Sequence, residues 1–346
     1  MTAYQKLDSF IEKHYAENGN SGVLRITHRD EILYEKNIGY ADIGSGTPFS
    51  KDSMFTLYSM SKPLCTFGLM KLYDKGLVDI EAHPSKYLPE ADGFDKRVTL
   101  HQIMNHIGGI PDFDQTPEFK QTHRPGPTHM MREQLRELAA YPQVNEPGTV
   151  GVYANVNFVI PALIIENVSG MNYADYMKKE VFAPLGMENA IVDNENLVIE
   201  NRVTGYEKNE EGVILPTERT LNWMFGAGDV AAALDDVYRI NHAIKHRLLL
   251  SKKAWELVLT PSPINKMGLG CTVTNWHGKH RITHNGGSRG FRTLHIQLPE
   301  DDFDIILLSN SGWGDMRKDY AEEIYKAFYE NSSDAGDDVS MDKGYI

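Results

Sequence analysis

The 346-residue chain is short of cysteine, of positive charge and of long apolar runs, and each shortage removes a class of protein. Its two cysteines, Cys65 and Cys271, are too few for a disulfide framework. Cys65 falls in an apolar run and reads as a small buried hydrophobe. With 35 Lys and Arg against 48 Asp and Glu, the net charge of −13 argues against nucleic acid or an anionic membrane as partner, since both need a basic face. No stretch approaches the ~18 apolar residues of a membrane span. Apolar runs such as 305–308 are strand-sized. The first residues, Met1 to Lys6, carry neither the basic nor the apolar region of a secretory signal. As given, the chain is expected to be cytoplasmic, although a trimmed export signal would leave the same sequence.

Several chemical signatures are missing too. The one G-x-S-x-G string, around Ser288, lies between two strand candidates rather than ahead of a helix, which sets aside an α/β-hydrolase with a Ser-His-Asp triad. The pairs Gly108-Gly109 and Gly286-Gly287 lack the trailing Lys-Ser/Thr of a phosphate-binding loop. His101 and His106 miss the i, i+4 face of a helix, and no acidic or cysteine partner is close in sequence, so they do not look like a metal pair. Neither metal nor cofactor is expected.

What is present is the composition of a soluble globular protein, 41% apolar and 24% charged, long enough to bury a large core as one domain or two lobes. Residues 4–18 show helical periodicity through Leu7, Phe10, Ile11 and Tyr15. Residues 22–27 and 32–40 alternate like a hairpin. The middle of the chain reads mainly as helices, over 59–75, 99–106, 132–140, 158–168, 173–181 and 229–247. Strand candidates return at 268–275, 281–284, 293–298 and 304–309, before a closing helix at 316–329. The expected fold is α/β of the α+β type: an antiparallel sheet built from both termini and flanked by helices, with a mostly helical lobe inserted. A single catalytic domain would span 1–330, its sheet lobe 1–58 plus 226–330 and its helical lobe 59–225. The acidic segment 331–346 has little to bury and is expected to be a disordered tail. The site would lie in the cleft between the lobes.

One short pattern offers chemistry to that cleft. In Ser59-Met60-Ser61-Lys62, a serine and a lysine three residues apart at the head of a helix share one face, so the amine can reach the hydroxyl. The serine's own N–H is among the donors left unpaired at a helix start and can help hold an oxyanion. The pattern alone is weak, because roughly one S-x-x-K is expected by chance in such a chain. A second stands at Ser340 to Lys343. Taken alone, Ser59 reads by default as a plain helix cap with Lys62 in solvent.

The order of further landmarks strengthens it. Ser59-x-x-Lys62 is followed by Ile103-Met104-Asn105-His106-Ile107-Gly108-Gly109-Ile110-Pro111. Next come Pro147-Gly148-Thr149 with Tyr153-x-Asn155, then Pro184-Leu185-Gly186-Met187, and finally His284-Asn285-Gly286-Gly287. Together these resemble the serine β-lactamase-like and penicillin-binding-protein family, which includes class C β-lactamases, D,D-peptidases, D-aminopeptidases and related esterases. The resemblance covers roughly residues 5 to 329. It implies Ser59 as acyl-accepting nucleophile, Lys62 as its base and Tyr153 as second proton carrier. It implies that Asn155 fixes Lys62 and touches the acyl side of the substrate. His284, Asn285 and Gly286 would line the cleft, and the Ser59 and Gly287 N–H groups would form the oxyanion hole.

The chain departs from the family at the third motif, where efficient β-lactamases and many D,D-peptidases carry Lys-Thr-Gly. His284 is not an obligate cation, which favours small esters, amides or D-amino-acid peptides over antibiotics. Arg289 or Arg292 could supply the missing charge; Arg292 is taken as a substrate-binding candidate, and either is equally an ordinary solvated arginine. Trp223, Met224, Phe225 and the stretch 116–131 are candidates to shape the acyl pocket. Two other outcomes stay open: an acyltransferase using the same site, and an inert ligand-binding or regulatory module. The sequence sets no oligomeric state.

Overall fold

A computed structural model of the chain describes residues 2–116, 131–194, 196–218, 221 and 224–329. The expected tail at 331–346, its Ser340 to Lys343 match, Trp223 and nearly all of 116–131 lie outside these residues.

The N-terminal helix α1 (Ala3–Asn18) begins with a capping box. Thr2 Oγ1 accepts the Gln5 N–H, and the Gln5 side chain accepts the Thr2 N–H at 2.9 Å. The hairpin β1 (Gly22–His28) and β2 (Glu31–Ile38) follows. From the far end of the chain come β3 (Thr272–Trp276), β4 (Lys279–Ser288), β5 (Phe291–Leu298) and β6 (Phe303–Ser309). All pair antiparallel in the order β3-β4-β5-β6-β1-β2, so the two termini build one six-stranded sheet.

Alternation of side chains assigns the faces. Leu24, Ile26, Ile305 and Leu307 pack against Leu7 and Ile11 of α1 and against Tyr320 and Ile324 of the closing helix Met316–Tyr329. Val23, Ile282, Ile306 and Leu308 point the other way, into the core shared with the helical half. A sheet covered on both faces reads as near-continuous apolar strands, and β6 is buried at every position.

The helical half is centred on α2 (Lys62–Asp74) and α3 (Val156–Ser169). From Val156 to Ile165 every residue of α3 is buried, as expected of a helix surrounded by protein. Leu234–His246 forms α4, on the helical side of the sheet, where Asn241 O accepts the Gln297 side chain of β5 at 2.6 Å. Among the described residues no helix is long and apolar enough to cross a membrane.

Three sequence expectations shift. The helix expected over 229–247 starts at Leu234, because Val230–Ala232 is instead a strand between Phe55–Thr56 and Ile191–Val192. The apolar run favours either state locally, and pairing with two partners decides for the strand. The helix Lys252–Leu259 escaped the sequence reading. The strand expected to stop at 284 runs on to Ser288 through both glycines. Gly286 is required there: a Cβ would sit 2.1 Å from Leu57 O and 2.5 Å from Thr293 Oγ1. Gly286→Ala must push β4 away from the turn that carries Ser59, at a cost of ~1–3 kcal/mol. Denaturant unfolding should show that loss, and an unchanged midpoint would contradict the close approach.

Candidate active site

Ser59 does not start the long helix as expected. It sits in a 3-10 turn, Tyr58–Ser61, and α2 begins only at Lys62, with Pro63 in its first turn where a missing N–H is harmless. Tyr58 adopts φ +47°, the left-handed region that a bulky residue enters only when its surroundings enforce it. Those surroundings are specific. Leu57 N–H donates to Val230 O at 2.9 Å, and Val230 N–H donates to Ser61 Oγ at 3.0 Å. Thr293 Oγ1 of β5 donates to Leu57 O at 2.9 Å. Ser61 therefore anchors the turn while Ser59 stays partly exposed.

Lys62 is fully buried, at 0% exposure. Its Nζ meets Ser59 Oγ at 2.9 Å, Asn155 Oδ1 at 3.0 Å and Ala227 O at 2.8 Å, and lies 4.9 Å from the centre of the Tyr153 ring. Burial penalises the ammonium and brings its pKa down to about 7, against an upward pull from Asp112, Cys65 and Asp229. Asp229 is itself pushed up to about 7 by burial, although it accepts the Gly226 N–H at 2.8 Å. Cys65, buried and pushed up to about 12, is an inert packing residue, in keeping with the sequence reading.

Tyr153 and Asn155 stand just ahead of α3. The Tyr153 hydroxyl hydrogen-bonds Ser59, and burial raises its pKa further above that of a free phenol, so the group is neutral. Two residues that the sequence reading left without a role hold this segment. Asp112 accepts the Asn155 N–H at 2.7 Å and the Val156 N–H at 3.1 Å, serving as a remote cap for α3. His106 stacks on the Tyr153 ring with centroids 4.2 Å apart. Its Nδ1 accepts the Ala154 N–H at 3.2 Å and lies 2.8 Å from Asn157 Nδ2. Burial, Lys62 and His284 all hold His106 neutral. The Gly-Gly-Ile-Pro-Asp run was the only sequence hint of Asp112.

The third motif passes along the other side of Ser59 on β4; a Cβ on Gly286 would lie 3.1 Å from Ser59 N. His284 is buried inside the strand, opposite His295, rather than at a strand end. Its Nδ1–H donates to Asn285 O at 2.7 Å. Burial and Lys62 lower its pKa to about 3, so it brings no positive charge. Asn285 and Gly287 are exposed. Arg289 is exposed in the following turn. Arg292 lays its stem near Gly287 but sends its guanidinium to Phe291 O at 2.8 Å and Gly312 O at 2.6 Å. A cation the sequence reading did not select, Arg317, donates to Gly286 O at 3.0 Å while paired with Asp315. Met224 is buried, and Phe225 packs on Tyr173 at 5.0 Å.

The structure thus gathers Ser59, Lys62, Tyr153 and Asn155 by direct contacts, with Gly286 and Gly287 alongside and the Arg292 guanidinium turned to backbone carbonyls. The sequence profile of the beta-lactamase family matches residues 7–327. A penicillin-binding protein of Bacillus subtilis (strain 168) is 30% identical over 331 residues, covering 89% of this chain and 71% of that protein. The fold matches D-amino acid amidase from Ochrobactrum anthropi SV3, complexed with L-phenylalanine amide, with a TM-score of 0.82 at 22% identity, covering 96% of this chain and 99% of that one. It also matches EstCE1, a hydrolase with promiscuous acyltransferase activity, with a TM-score of 0.81 at 17% identity, covering 94% and 98%. The chain belongs to the beta-lactamase family.

The role of Asp112 has a direct check. Asp112→Ala leaves the Asn155 and Val156 N–H groups without their acceptor and should cost ~1–3 kcal/mol in denaturant unfolding; wild-type stability would contradict the remote cap.

Proposed function

We propose that this member of the beta-lactamase family is a serine hydrolase that forms an acyl-enzyme on Ser59 and acts on small esters, amides or D-amino-acid peptides, with at most weak β-lactam hydrolysis. The observation that carries the reading is the fully buried Lys62 amine, at near-neutral pKa, 2.9 Å from Ser59 Oγ. A serine hydroxyl needs such a base to attack near pH 7. In neutral Lys62, two hydrogens serve Ala227 O and Asn155 Oδ1, and the lone pair is left for the Ser59 hydroxyl. Lys62 takes that proton as Oγ bonds to the substrate carbonyl carbon, and the carbonyl π pair moves onto oxygen. The Ser59 and Gly287 N–H groups would receive this oxyanion, each such donor being worth ~3 kcal/mol.

Collapse of the tetrahedral species breaks the bond to the leaving group, which needs a proton. Tyr153, neutral and hydrogen-bonded to Ser59, is placed to relay it from Lys62. Its raised pKa argues against it as the resting base and supports Lys62 in that task. Water then repeats the sequence on the acyl-enzyme.

Substrate preference follows from the third motif. Burial holds His284 neutral, and Arg317 and Arg292 are already partnered, so these three offer a substrate carboxylate no free cation, while Arg289 stays exposed in the turn beyond them. Acyl substrates without a carboxylate fit better, and a D-amino acid amidase and a hydrolase with promiscuous acyltransferase activity are among the structural relatives. An inert binding module has no use for a desolvated lysine beside a hydroxyl, and burying one without a compensating role is costly.

The test is a parallel screen of p-nitrophenyl esters, nitrocefin and D-alanyl peptides with a fluorophosphonate probe. Turnover and covalent labelling should both vanish in Ser59→Ala. Lys62→Ala and Tyr153→Phe should each lower kcat at least ~100-fold. Because only neutral Lys62 is a base, kcat/KM should rise with pH through about 7. Wild-type-like turnover in either variant, or labelling that survives in Ser59→Ala, would overturn the assignment.

A further inference from the structure

We propose that Asp30, His242 and His246 form a binding site for one divalent transition-metal ion of the zinc class, at the end of the sheet opposite the catalytic cleft. His242 and His246 stand one turn apart on α4, the i, i+4 spacing that points two imidazoles at a common point. Their rings lie 4.3 Å apart. Asp30 meets them from the tip of the β1–β2 hairpin. Its Oδ1 is 3.2 Å from His242 Nδ1, and its Oδ2 is 3.0 Å from His246 Nε2. Among the described residues this is the group in which three metal-ligating atoms all lie within 4.8 Å of one another. A tetrahedral ion with ~2.0 Å bonds needs donors about 3.3 Å apart, so small side-chain rotations close the set.

Two imidazole nitrogens and one carboxylate oxygen are a zinc donor set that leaves a fourth position for water. All three side chains reach solvent, with 36%, 29% and 39% of Asp30, His242 and His246 exposed, so an ion can enter. The resident cation is Lys245, 2.8 Å from Asp30 Oδ1 and also paired with Asp302. Asp302 keeps Lys245 neutralised when Asp30 turns to the metal. The Tyr238 hydroxyl, 3.2 Å from Asp30 Oδ1, would orient the carboxylate from outside the ligand set.

The site is separate from the catalytic one. Strand register aligns Gly22, Ser309, Arg292 and Gly287 across the cleft end, and His28, Phe303 and Leu298 across the other. The seven residues of β1 put about 20 Å between the two rows. A metal here would tie the hairpin turn to α4 without touching Ser59.

Chelator-treated protein is titrated with zinc by equilibrium dialysis and by thermal unfolding, beside His242→Gln/His246→Gln and Asp30→Asn. Circular dichroism and the metal-free unfolding midpoint establish that each variant is folded. The wild type should hold one zinc per chain and unfold at a higher temperature with it. Both variants should bind at least ~10-fold more weakly, a loss typical of a damaged metal shell, and their unfolding temperature should not rise. Failure of the wild type to retain zinc, or unchanged retention in the double histidine variant, would overturn the proposal and leave the cluster an ordinary ion-pair network.

Discussion

The structure depends on keeping one lysine amine dry. Lys62 gives up all contact with water, and an ammonium in that position is tolerable only where oxygen atoms replace its hydration. Three acceptors do so, from separate parts of the chain: the Ser59 turn, Asn155 at the head of α3 and Ala227 between the two halves. The partial compensation matters as much as the contacts. Full neutralisation by a close carboxylate would fix the proton on nitrogen, whereas three neutral oxygens leave the amine near the point of losing it.

Holding those acceptors explains much of the backbone around them. Gly226, at φ +69°, would bring a Cβ within 2.5 Å of Ala162 Cβ, so the turn carrying Ala227 can lie flat on α3 only with glycine there. Asp229 accepts the Gly226 N–H and closes that turn. Asp112 and His106 hold the Tyr153–Asn155 segment from the opposite side. β4 completes the enclosure, brought close by Gly286. The same closeness buries His284 and holds it neutral, so the third motif itself brings no fixed cation.

Much of the fold was legible in the sequence because its signals are local and periodic. The helical periodicity of 4–18, the hairpin alternation over 22–40 and the strand-like runs near the other end are decided by residues a few positions apart. What escaped was set by distant partners. The Tyr58 elbow exists because Val230 and Thr293 grip the turn, and neither is near it in sequence. Asp112 and Asn155 are 43 residues apart, and His106 and Ala154 are 48 apart. Their side chains look like loop and helix-end residues until the fold joins them. The candidate site was legible as an ordered set of motifs, while its electrostatics were not: burial turns Lys62 toward neutrality and silences His284, and burial is a property of the folded chain.

The central claim is that Lys62 is a base at neutral pH, and its own titration tests that most directly. With lysines labelled at Cε and the Lys62 resonance assigned by its loss in Lys62→Ala, NMR across pH 5 to 11 reads the charge on this amine. The account expects a midpoint near 7, lowered from 10.5 by burial. The ammonium would then dominate below the midpoint and the free amine above it. A midpoint close to that of an exposed lysine would leave Ser59 without its base and contradict the account.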